Sequence, residues 1–207
     1  MCNSMTLPSF ESVPTMYIIG GCNGAGKTTA SFTVLPELLH CYEFVNADEI
    51  AKGLSPFRPE SVAIEAGRLM LHRIGELMNQ RVDFAFETTL AASLHLRSIA
   101  KAQELGYRVH LLFFWLESVE LAQQRVQSRV MEGGHSIDMD VINRRYKRGI
   151  VNFFRKYWDR IDCSWIIDGS KGNFNLIAER KSTNIPTIFV PAAYESIQNQ
   201  YAQYSND

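Results

Sequence analysis

Hydrophobic positions along the chain follow two rhythms. Short, nearly unbroken apolar runs at 16–20 (MYIIG), 43–46 (EFVN), 83–87 (DFAFE), 108–116 (RVHLLFFWL) and 164–168 (SWIID) predict strands, the fourth of them buried. Between these runs the apolar residues recur at helical spacing. Residues 27–39 keep a helical composition, and after a turn at Pro56 and Pro59 one face of a long helix carries Val62, Ala66, Leu69, Met70, Ile74 and Leu77. Further helices are predicted over 93–105, stopped by Gly106, and over 118–131, broken by Gly133 and Gly134. Asp138 suits the N-cap of another, which runs to 158. Strands that alternate with helices of a dozen residues need crossover connections. The pattern therefore predicts an α/β fold, a mostly parallel five-stranded sheet covered by helices on both faces.

No internal repeat, low-complexity linker or shift of composition divides the chain. The expected organisation is an arm over 1–15, one domain over 16–190, and a tail over 191–207 rich in Tyr, Gln and Asn. With 46% hydrophobic and 21% charged residues, the 207-residue chain is ordinary globular material. Its formal charge of −1 gives no global footprint for nucleic acid or an anionic membrane. The eight residues 109–116 are too short to span a bilayer, and the first 15 lack the features of a secretory signal. Cys2, Cys22, Cys41 and Cys163 show neither disulfide-framework nor zinc-ligand spacing. These features predict a cytoplasmic protein with reduced thiols, a small-molecule ligand, and no nucleic-acid or membrane partner.

The chemistry begins where the first predicted strand meets the first predicted helix. Gly21, Cys22, Asn23, Gly24, Ala25, Gly26, Lys27 and Thr28 satisfy G-x-x-x-x-G-K-[ST], with Thr29 directly after. Glycines let successive N–H groups form an anion nest, and the start of the following helix adds partial positive charge. Lys27 is placed to reach the β- and γ-phosphates of a nucleotide, and the Thr28 hydroxyl to ligate Mg²⁺. The α/β pattern is thereby narrowed to a P-loop NTPase fold of the adenylate-kinase-like kind.

Such loops serve many functions. The GTPase box N-K-x-D and a transporter-type L-S-G-G-Q signature are absent from the sequence, and four apolar residues before an acid occur only in LLFFWLE, ending at Glu117. A small-molecule or nucleotide kinase remains. It needs a carboxylate beyond the second strand to take the proton of the attacking hydroxyl, and Asp48 occupies that place, with Glu49 the weaker candidate. The competing reading is that Asp48 or Glu49 caps the next helix. Glu87, Thr88 and Thr89 close the third strand and are expected to contact the acceptor, or to hold Mg²⁺ through water; alternatively they start a turn, Thr89 more readily than Glu87. Arg125 and Arg129 stand before the glycine break and Arg144, Arg145 and Arg148 after it, the arrangement a closing lid over 125–148 needs.

Taken in order, GCNGAGKTT (21–29), FVNADEIAKGLSP (44–56), DFAFETTL (83–90), ESVELAQQRVQSRV (117–130) and GGH followed by INRRYKRG (133–149) resemble the zeta toxin family of P-loop kinases. The resemblance implies transfer of the ATP γ-phosphoryl group to a hydroxyl of a nucleotide-activated sugar, UDP-N-acetylglucosamine foremost. It implies that Lys27 and Thr28 serve ATP and Mg²⁺, that Asp48 is the base, that Glu87 with a following Thr contacts the acceptor, and that Arg125 is a lid arginine. Arg129, Arg144, Arg145 and Arg148 share the second lid position. Two further readings stay open: a kinase for a nucleoside, shikimate- or gluconate-type metabolite, and a nucleotide-dependent switch or toxin module held by an antitoxin.

Overall fold

The computed structural model describes residues 13–133, 136–182 and 185–206. Residues 1–12 of the expected arm, and Gly134 and His135 of the expected hinge, lie outside them. Along the chain the strands are β1 (Thr15–Gly21), β2 (Glu43–Val45), β3 (Phe84–Thr88), β4 (Arg108–Trp115), β5 (Cys163–Asp168), β6 (Asn175–Lys181) and β7 (Thr187–Ile188). The helices are α1 (Lys27–Thr33), α2 (Ala47–Leu54), α3 (Ala63–Gln80), α4 (Leu96–Glu104), α5 (Val119–Met131), α6 (Met139–Asn152) and α7 (Pro191–Tyr204). One sheet orders the strands β2-β3-β1-β4-β5-β6-β7. The first five are parallel, β6 is antiparallel to β5, and β7 is antiparallel to β6.

The sheet thus has seven strands rather than five. β6 reads poorly as a strand because charged residues interrupt it, and its Arg180 is buried. Nη2 of that guanidinium donates to the carbonyl oxygens of Trp158 and Ile161, partners that only the folded chain brings together, while its buried Nε has none among the described residues. The predicted tail likewise forms a helix, with Pro191 in its first turn, where a missing N–H costs nothing. Ile197 is fully buried, and Tyr204 and Tyr201 set their rings against Tyr146 and Phe154.

β1 lies at the centre of the five parallel strands, and all seven of its residues are buried, as expected of a strand covered on both faces. β3 and β4 flank it on opposite sides. In such sheets the crevice at the carboxyl ends of the diverging strands is where ligands bind. The register pairs Ile19 with Glu87 and Gly21 with Phe114, which brings the end of β3 beside the loop that leaves β1. Beneath this edge Phe113 stacks on Phe153 with ring centroids 4.2 Å apart.

Two predicted helices change character before they end. Pro36 has no N–H to donate to the preceding turn, so α1 opens after Thr33 into a wider π-type turn over Val34–Leu38. The helix that Asp138 caps is regular to Asn152 and continues as a similar wide turn over Phe153–Tyr157, closed by a 2.8 Å bond from Trp158 N–H to the Phe153 carbonyl. No helix of the described residues is long and apolar enough to cross a membrane.

Candidate active site

Residues 22–26 connect the central strand to α1. Gly24 and Gly26 adopt left-handed conformations at φ 81° and 83°. A Cβ at Gly24 would also stand 2.8 Å from the Ala122 carbonyl oxygen, so sterics as well as φ require glycine there. Left-handed residues of this kind turn the N–H groups of a loop toward one concavity. Burial pushes the Cys22 thiol up to about 11, so that residue takes part as a neutral group through its carbonyl.

Lys27 is only 5% exposed, and a buried ammonium needs partners. Its Nζ donates to the Cys22 carbonyl at 2.9 Å and stands 3.4 Å from Oε1 of Glu87. The other carboxylate oxygen of Glu87 accepts from the Thr28 hydroxyl at 2.7 Å and from Asn46 Nδ2 at 2.9 Å. Three segments therefore converge on one carboxylate: the start of α1, the end of β3 and the residue after β2. Glu117, the acid suggested by the apolar run of β4, offers its backbone N–H to Ser170 Oγ and its carbonyl to Gln200. The carboxylate beside the Thr28 hydroxyl is that of Glu87.

Asn46 has a second task. Its Oδ1 accepts from the Asp48 N–H at 2.9 Å and caps α2. Asp48 is therefore not the cap; it lies in the first helical turn with its side chain exposed. Thr28 and Asp48 both line a cleft of about 550 Å³, together with Lys52, Arg129, Asp138 and Arg145. Glu49 also faces it, paired with Lys52 at 2.6 Å.

The five arginines separate into three groups. Arg125 reaches from α5 to the Gly24 carbonyl at 3.4 Å and the Ser170 carbonyl at 2.8 Å, tying the phosphate loop to the segment after β5. Arg145 reaches from α6 to Asn23 Oδ1 at 3.2 Å, and Arg129 is an exposed residue of the cleft wall. Arg144 and Arg148 are exposed on α6 and line no part of the cleft. Thr88 and Thr89 close local turns, their hydroxyls accepting from Leu90 N–H and Ala91 N–H, and Thr29 is exposed on α1. Asn46 and Ser170 are the contributors that sequence reasoning missed. Asn46 was within reach, since Asn before Ala-Asp-Glu at a strand end is a capping pattern; no local signal marks Ser170.

Phosphate-binding chemistry fits these groups. A buried ammonium beside a glycine loop is suited to polyphosphate, and a threonine hydroxyl beside a glutamate to a phosphate-bound Mg²⁺. No group of three His, Cys, Asp or Glu side chains able to hold a metal occurs among the described residues, so such an ion would take phosphate and water for its remaining ligands.

The family model described as Zeta toxin matches residues 3–169. An uncharacterized protein of Haemophilus influenzae is 32% identical over 127 residues, which cover 61% of this chain and 88% of that protein. Among solved structures, a chain of the AvrRxo1-ORF1:AvrRxo1-ORF2 complex with sulphate ions superposes with a TM-score of 0.72 at 18% identity. The match covers 90% of this chain and 64% of that one, so this chain spans just under two thirds of its length. A chain from the PezAT toxin-antitoxin system of Streptococcus pneumoniae superposes with a TM-score of 0.66 at 16% identity, over 94% of this chain and 87% of that one. The two superpositions establish the fold. With the family match running from before β1 to just beyond β5, the chain belongs to the zeta toxin family of P-loop kinases.

Proposed function

We propose that this protein transfers the γ-phosphoryl group of ATP to a hydroxyl of a small acceptor bound in the cleft between α2 and the start of α6. The observation that carries the reading is that one cleft is lined both by Thr28, bonded to Glu87, and by the uncapped carboxylate of Asp48. Bound Mg·ATP supplies the activated phosphoryl group together with a cation that offsets its charge. Lys27 and the loop over 22–26 hold the phosphates, and Thr28 and Glu87 hold the cation directly or through water. Asp48 accepts the proton of the acceptor hydroxyl, while Arg125, Arg129 and Arg145 neutralise charge on the moving group. ATP use is supported by the similar AvrRxo1-ORF1:-ORF2 fold, which has been solved with ATP.

The acceptor we favour is a UDP-activated amino sugar, on the strength of the family. An antitoxin protein is the partner proposed, in keeping with the PezAT toxin-antitoxin system. A cytoplasmic location accords with the substrate and with the free thiols of Cys22, Cys41 and Cys163. The test is incubation with Mg·ATP and a panel of UDP-sugars, nucleosides and polyols, following ADP release and product mass. A UDP-amino sugar that gains one phosphate is the expected result. Phosphorylation of a nucleoside or polyol instead would refute the acceptor, and ADP release indifferent to every acceptor would refute the transferase.

A further inference from the structure

α7 lies beyond the residues that the family model matches, yet besides packing through Ile197, Tyr201 and Tyr204 it is hydrogen-bonded to the active-site edge through Gln200. Gln200 sits on the face of α7 turned toward the sheet, half-buried. Its Oε1 accepts from the Trp115 indole N–H at 2.8 Å and from the Tyr146 hydroxyl at 3.2 Å. Its Nε2 donates to the Glu117 carbonyl at 2.8 Å. The single proton of the Tyr146 hydroxyl is shared between Oε1 of Gln200 and the Leu116 carbonyl, the nearer acceptor at 2.7 Å. One amide thereby joins the end of β4 to the middle of α6, and Tyr146 is itself 2% exposed.

The neighbour of Tyr146 in the chain is Arg145, whose guanidinium meets Asn23 in the phosphate loop. A helix that carries a catalytic cation gains from being fixed in rotation and height, because a displacement of about 1 Å at such a group is costly. α6 reaches the loop from the far side of the glycine break, and Tyr146, in contact with Gln200, ties it to the end of β4. We infer that Gln200 is a positioning residue, through which α7 holds α6 so that Arg145 faces the nucleotide phosphates. The inference rests on the reading that the loop over 21–28 binds Mg·ATP.

A purely structural α7 would show itself differently. Loss of Gln200 would then lower thermal stability and leave nucleotide affinity untouched, whereas a positioning role lowers affinity through Arg145. The experiment measures Mg·ATP binding by calorimetry, and thermal midpoints without nucleotide, for the full chain and for Gln200→Leu, Gln200→Glu, Arg145→Ala and the Gln200→Leu, Arg145→Ala pair. Gln200→Leu is expected to weaken Mg·ATP about tenfold, as is Arg145→Ala, each losing one charge-assisted contact. The pair is expected to bind no worse than Arg145→Ala alone, because the glutamine acts through the arginine. Gln200→Glu keeps the oxygen that Trp115 and Tyr146 address but sets an oxygen in place of the donor to the Glu117 carbonyl, and should bind between Gln200→Leu and the parent.

Gln200→Leu with parental affinity and a lowered midpoint would overturn the inference, and so would a pair whose losses multiply. Should Gln200→Leu fail to fold, Tyr146→Phe removes the same link while keeping the ring, and parental affinity there would be equally fatal. A parent chain that binds no Mg·ATP overturns the nucleotide reading, and this inference with it.

Discussion

Two single residues show how environment decides role. Asp48 and Asn46 lie two apart at the same strand end, and either could cap α2. The bond from the Asp48 N–H to Asn46 Oδ1 gives the cap to the asparagine and leaves the carboxylate facing the cleft. Asp48→Asn should therefore cut phosphoryl transfer by about 10² to 10⁴, the usual worth of a general base. The helix should lose no more than about 1 kcal/mol, the worth of one acid in its first turn. Transfer rate and thermal midpoint measured together check this, and a variant with full rate would remove Asp48 as base. His95 is the opposite case, a titratable group without chemistry. It is buried against the Phe86 ring with Nδ1 unpartnered, and desolvation lowers its pKa to about 4. Its folded value lies below the unfolded one, so the unfolded chain binds the extra proton first and stability is lost as pH falls from about 6.5 toward about 4. Between pH 7 and pH 5 this group alone removes about 2 kcal/mol. Urea unfolding at the two pH values should show the slope in the parent and a smaller one in His95→Phe; equal slopes would assign the acid sensitivity elsewhere.

At the scale of elements, the join between β2, α2 and β3 makes a sharper test. Asp caps a helix about as well as Asn, so Asn46→Asp looks harmless from sequence. Here, however, the Nδ2 that would become an oxygen is the one that donates to Glu87 at 2.9 Å. Two carboxylates at that distance repel, and the variant should be less stable than Asn46→Ala, which forfeits only a cap and one hydrogen bond. Midpoints of the two variants in urea decide it; an aspartate as stable as the parent would show that the Glu87 contact counts for little. The same join explains what could be read in advance. The phosphate loop was legible because its determinants are local: glycines, a lysine and a threonine in eight consecutive residues. Strands β1 to β5 were legible from their apolar runs, and the Asp138 cap from residue type. The Glu87 contacts with Lys27 and Thr28 depend on β3 lying directly beside β1, a matter of strand order that no local pattern encodes. β6 and α7 were illegible for a related reason. Their polar residues, Arg180 and Gln200 among them, find carbonyls and a ring donor on other elements.

At the scale of the whole molecule, the nucleotide site is a seam. The starts of α1 and α2 and the end of β3 supply Lys27, Asn46 and Glu87; α5 and α6 supply Arg125 and Arg145; α7 packs against α6 from behind. A ligand that engages groups from so many elements binds the folded chain and has little to bind in the unfolded one. Its affinity must then appear as stability. At a concentration about a hundred times its Kd, Mg·ATP adds about 2.7 kcal/mol. For a domain of this size each kcal/mol moves the thermal midpoint by about 2–4 °C, so saturating Mg·ATP should raise it by about 5–10 °C. The control separates this from general salt or phosphate effects. Lys27 is buried and paired, so Lys27→Ala leaves Glu87 with only its Thr28 and Asn46 donors and lowers the midpoint without nucleotide; more tellingly, it should abolish the shift with it. A Lys27→Ala protein still stabilised by Mg·ATP would place the nucleotide elsewhere than the loop, and the seam would have to be explained as structure alone.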